Sequence, residues 1–108
     1  MSSLPAAIQT FFHVSNGENE AALSQCFAED AVVHDEKRDH HGVAQIRDWL
    51  VEARAKYQYE IEPLRAVHDN GKYIVTARVA GTFPGSPIEV DHVFALDRHG
   101  LVASLKIG

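Results

Sequence analysis

A change of hydrophobic period near residue 57 divides this chain into two halves that must fold differently. Before it, apolar residues recur every three or four positions. In "VAQIRDWLVEARAKY", Val43, Ile46, Trp49, Leu50, Ala53 and Tyr57 fall on one face of a helix. After it, they alternate. In "IEVDHVFALD", Ile88, Val90, His92, Phe94 and Leu96 share one face of a strand, and Glu89, Asp91, Val93, Ala95 and Asp97 the other. Helices that come first and strands that come last cannot interleave as parallel βαβ units. They segregate, helices on one face of an antiparallel sheet, which is the α+β arrangement.

The remaining segments fill in that plan. Leu4, Ile8, Phe11, Phe12 and Ser15 keep helical spacing, behind a serine cap in "SSLP" and Pro5 in the first turn. "NGENEAALSQCF" predicts a second helix with Leu23, Cys26 and Phe27 on its buried face. "DAVVHDE" predicts a short strand and "KRDHHG" a loop. Beyond the third helix, "QYEIEPLRAVHD" reads as a strand interrupted at Pro63 by a bulge or an edge position. Asp69-Asn70-Gly71 is a hairpin turn signal. "KYIVTARVAGTF" and "LVASLKI" supply further strands. Residues 1–108 are read as one domain, a bent sheet backed by three helices, with the open end of the cone available to a small molecule.

Composition removes several classes of function. The net charge is -5 and no basic stripe occurs, so the chain is not read as binding nucleic acid. No apolar run approaches the roughly 20 residues of a membrane helix. The N-terminus lacks the charged start and cleavage site of a signal peptide. A single cysteine, Cys26, cannot form an internal disulfide, and the chain reads as cytoplasmic. Neither a metal nor an organic cofactor is expected.

Two residues carry the candidate chemistry. Asp35 closes the "DAVVHDE" strand; at the mouth of an apolar pocket its charged form is disfavoured, which raises its pKa toward the range useful for proton transfer. The plainer alternative is an aspartate that caps the following loop. His92 stands in the middle of an apolar strand face and needs a hydrogen-bond partner there. Either a backbone carbonyl satisfies it, or Asp35 does, directly or through a water, forming an acid/base dyad. His34 has the opposite strand parity to Asp35 and is expected to point outward. His40 and His41 are read as loop residues, because the spacing is too loose for a metal site. Trp49 and Tyr57 read as core aromatics or as a wall beside the cavity. Tyr59 and Tyr73 sit on strands and can reach the cavity or a subunit face.

The stretches "ENEAALSQCFAEDAVVHD", "HGVAQIRDWL" and "VDHVFALDRHGLVASLKI" resemble the nuclear transport factor 2-like superfamily, in its SnoaL-like and ketosteroid-isomerase-like branch. The resemblance spans nearly the whole chain. It implies a cone-shaped, cystatin-like roll and frequent dimerisation through the open sheet face. It places Asp35 where the isomerases keep their proton-shuttling aspartate, with Val33 pointing into the same cone. The isomerases' oxyanion-hole tyrosine and protonated aspartic acid correspond by ungapped counting to Phe11 and His92.

The expected function is cofactor-independent proton transfer on a small apolar molecule, of isomerase, cyclase or dehydratase type. Asp35 is the base, and His92 orients it or donates to an oxyanion. Phe11, Val33, Trp49, Tyr57, Val90 and Phe94 are expected to bind the substrate, and a homodimer is the expected assembly. Two other readings stay open at this point: a non-catalytic binding module, and a dimeric scaffold whose cone is filled.

Overall fold

The computed structural model describes residues 4–108. Helix α1 spans Ala6–Ser15. Pro5 occupies its N-cap position without a side-chain cap; the expected serine cap lies outside the described residues. A 3₁₀ turn, Glu20–Ala22, leads into a four-residue helix α2, Leu23–Cys26. The long second helix expected here is therefore reduced to two short pieces. Leu23, Cys26 and Phe27 are all buried as their spacing requires, but Phe27 already begins strand β1, Phe27–Asp35.

The expected "KRDHHG" loop is replaced by a second strand, β2, Arg38–His41, paired antiparallel with β1. The turn between them, Glu36-Lys37, takes φ of 52° and 64°. Neither residue is one of the usual left-handed formers, so the sequence carried no hairpin signal. The strand is polar because it is an edge, exposed along most of its length. Helix α3, Gly42–Tyr57, follows, with Ile46 and Leu50 fully buried.

The second half is an antiparallel meander of β3 (Glu60–Asp69), β4 (Lys72–Ala80), β5 (Ile88–Leu96) and β6 (Val102–Ile107). The register breaks between Pro63 and Arg65 on the edge strand β3, and Asn70-Gly71 makes the β3–β4 turn. The sheet order is β2-β1-β6-β5-β4-β3, and β1 runs parallel to β6. The curved, open sheet is thus mixed rather than antiparallel throughout. No hairpin constrains the direction of β1 against β6, because α3 and the whole meander lie between them.

The core sits between α1 and the inner face of the sheet. Phe11 and Phe12 pack edge-on against Phe94, and Phe11 against Phe27, with ring centroids 5.5–6.0 Å apart. Each fully buried ring contributes about 1.5–3 kcal/mol relative to exposure. Among the described residues, no helix is long and apolar enough to cross a membrane.

Candidate functional site

Beside this core the inner face of the sheet leaves a cavity of about 480 Å³. Phe11 and Ser15 border it from α1, Asp35 from the end of β1, Trp49 and Tyr57 from α3, and Val90 and His92 from β5. Of the residues expected to contact a substrate, Val33 and Phe94 do not reach this space. Both are fully buried in the core and support the cavity from behind.

Asp35 is half-buried at the rim. Its Oδ2 accepts a hydrogen bond from Trp49 Nε1 at 3.1 Å. Burial raises its pKa above the ordinary carboxylate value, the Trp49 N–H opposes that rise, and the neighbouring Glu36 adds to it. A second concavity of about 470 Å³ shares Asp35, Glu36, Trp49 and Tyr57 with the first and is lined further by Arg38, His40, Glu52 and Lys56. Asp35 therefore stands where an apolar interior meets a charged vestibule. His40 stacks on Trp49 with ring centroids 5.7 Å apart. Tyr57 donates to Glu36 Oε1 at 3.2 Å.

His92 is 2% exposed. Its Nδ1 lies 3.1 Å from the carbonyl oxygen of Val90. A carbonyl only accepts, so Nδ1 carries the proton and Nε2 presents a lone pair. Phe11, Phe12 and Phe94 surround the ring, and burial pushes its pKa down to about 4. Among the described residues His92 makes no direct hydrogen bond to Asp35; the backbone carbonyl of Val90 satisfies it instead. The register explains why. Val33 pairs with Leu105 and His34 with Lys106, which carries Asp35 to the level of Ile107, and Ile107 pairs with His92. Asp35 and His92 thus share one row of the sheet but stand two strand spacings apart, roughly 10 Å, with Ile107 between them. Neutral His92, with its only proton held by Val90, also cannot donate to an oxyanion, which corrects the second role expected of it.

A further polar pair was not singled out by sequence reasoning. Ser15 Oγ and Tyr59 Oη are 2.9 Å apart, buried, and both border the cavity. Burial raises the Tyr59 pKa; the Ser15 hydrogen bond and the Arg54 charge oppose this, and the Asp35 charge adds to it. Arg54 fixes this corner by donating to the carbonyls of Ser15 (2.6 Å) and Tyr59 (3.1 Å) while lying 5.3 Å over the Tyr59 ring. The Asn16 side chain clasps Ile61, donating to its carbonyl at 2.9 Å and accepting from its N–H at 2.8 Å. Gly17, at φ +86°, leaves room for Arg54; a Cβ there would come within 3.1 Å of the guanidinium. Ser15 gave the same sequence signal as His92, a polar residue on an apolar stripe.

The other candidates lie outside the cavity. His34 pairs with Asp39 across the β1–β2 hairpin at 2.5 Å, Tyr73 stacks on His68, and His41 is exposed. Cys26 is buried, and burial pushes its thiol up to about 12. Among the described residues no three metal-ligating side chains converge.

A family model described as a SnoaL-like domain matches residues 8–105. Among solved structures, a Sinorhizobium meliloti protein named as a candidate polyketide cyclase is 39% identical, with a TM-score of 0.91 over 97% of this chain and 95% of that one. A Catenulispora acidiphila protein of ketosteroid isomerase-like fold, solved with trimethylamine, is 18% identical, with a TM-score of 0.82 over 98% and 86% of the two chains. An Agrobacterium tumefaciens protein named as a candidate isomerase of the SnoaL-like family is 17% identical, with a TM-score of 0.78 over 94% and 92%. The last two show a common fold alone. No curated relative matches the chain.

Proposed function

The chain belongs to the SnoaL-like domain family, and on that premise we propose that it binds a small, largely apolar molecule in the cone and moves a proton on it without a cofactor. The observation that carries this reading is Asp35: a carboxylate at the rim of an apolar cavity, made more basic by burial and aimed by the Trp49 N–H. A carboxylate so placed takes a proton from a carbon next to a carbonyl. It then returns that proton to another carbon or to a departing oxygen, which serves isomerisation, cyclisation or dehydration. The Sinorhizobium relative favours the cyclase form of this chemistry. A homodimer through the outer sheet face belongs to the same proposal; Val67 is 58% exposed there, and Ile74 and Val93 are only half-buried.

The test is deuterium uptake from D₂O into the carbon next to the carbonyl of 1-tetralone and 6-hydroxy-1-tetralone, followed by proton NMR. The native protein accelerates exchange over buffer, and Asp35→Asn lowers that acceleration by roughly 10²–10⁴-fold, the usual scale of general-base catalysis. Exchange that persists in Asp35→Asn overturns the proposal.

A further inference from the structure

The cavity's interior hydrogen-bonding groups can be counted, and the count describes a ligand. Ser15 and Tyr59 have two hydroxyl protons and one mutual hydrogen bond between them. Whichever donates, one proton is left over. Neither hydroxyl donates to another described residue, since the Arg54 guanidinium beside Tyr59 can only donate, and both residues line the cavity. This corner therefore offers one donor.

His92 offers the opposite. Its Nδ1 proton is engaged by Val90, and no described residue bonds Nε2. Nε2 is not sealed off either, because no buried side-chain nitrogen or oxygen lacks a partner among the described residues. The ring lines the cavity, so Nε2 is the ring nitrogen left for a ligand there. Burial holds the imidazole neutral at physiological pH, so it stays an acceptor. The two sites are linked by α1: Phe11 lies 6.1 Å from the His92 ring, and Ser15 is one helical turn farther along the same face. The separation is on the order of 10 Å, which two fused six-membered rings with one oxygen at each end can span.

We propose that the cavity selects a small hydroxy-carbonyl compound: the Ser15–Tyr59 pair donates to its carbonyl oxygen, and His92 Nε2 accepts from its hydroxyl at the other end. This rests on the cavity being a ligand site, as proposed above, but not on Asp35 being a base. It sharpens the plain expectation of an apolar ligand, because an apolar molecule leaves one donor and one acceptor without partners.

The test is calorimetric binding of four probes: tetralin, 1-tetralone, 6-methoxy-1-tetralone and 6-hydroxy-1-tetralone. The hydroxy ketone binds several-fold to tenfold tighter than its methoxy analogue, the scale of one net hydrogen bond. That preference disappears in His92→Phe and is kept in His92→Gln, whose amide oxygen still accepts. The preference for 1-tetralone over tetralin disappears in the Ser15→Ala, Tyr59→Phe double variant, with circular dichroism verifying that each variant is folded. Equal binding of the hydroxy and methoxy ketones overturns the inference. So does a preference that survives His92→Phe, or failure of all four probes to bind at millimolar concentration. Probe preferences that appear without deuterium exchange overturn the proton-transfer reading and leave this one standing; exchange without the preferences does the reverse.

Discussion

Asp35 and His92 occupy one row of the sheet and border one cavity, yet burial has moved them in opposite directions. At the end of β1, it raises a carboxylate that keeps contact with a charged vestibule and an indole N–H. In the middle of β5, it depresses an imidazole enclosed by three phenylalanines. In both cases desolvation disfavours the charged form. The directions differ because the charged form is the deprotonated carboxylate at the rim and the protonated imidazole on the floor; the Trp49 N–H opposes the first shift and the Val90 carbonyl the second. On the function proposed above, the contrast divides the work: proton transfer at the rim, and recognition by neutral hydrogen bonds on the floor.

The largest effect expected from this contrast is on acid stability. An unfolded histidine titrates near 6.5, whereas His92 stays neutral in the fold until about pH 4. Its contribution to stability is complete above pH 6.5 and is lost as the pH falls through 4, about 3 kcal/mol in all. Among the described residues, the Val90 carbonyl and then Asp91, the preceding residue in the chain, are what oppose the shift, and burial outweighs both. Urea melts across pH 7 to 4 should therefore show a decline that is largely absent from His92→Phe. An equal decline in both proteins would place the linkage elsewhere.

A smaller effect of opposite sign is expected at the rim. Because the folded-state pKa of Asp35 is raised, its linked stability is present below the unfolded value of 3.8 and is lost as pH rises through the folded value. Asp35→Asn keeps an acceptor for Trp49 and removes the desolvated charge. It should raise the melting temperature slightly at pH 7, with the gain vanishing in acid. A loss of stability at pH 7 would mean that the carboxylate is structural, a cap rather than a base.

The same contrast shows what could be read from the sequence. The period change fixed the division into helices and meander, and the β5 alternation put His92 on the buried face before any partner was known. Asp35 was picked out by resemblance, as the aspartate that ends the strand where the isomerases keep their proton-shuttling one. Their relation was not legible, because it depends on β6 lying between β1 and β5, and on a parallel pairing that no local signal announces. Strand β2 was missed because Glu36-Lys37 turns without glycine or asparagine. The Ser15–Tyr59 pair joins residues 44 positions apart, and its orientation depends on Arg54, whose side chain gives no sign of folding back over the helix ends.

The separation of rim from floor is tested most directly by ¹⁵N NMR titration of the histidine ring nitrogens, in the native protein and in Asp35→Asn. The account predicts that His92 carries its proton on Nδ1, titrates near pH 4, and keeps that midpoint when Asp35 is neutralised. A proton on Nε2, or a midpoint that moves with the Asp35 substitution, would show that the two groups form one coupled acid/base unit, and would contradict the account.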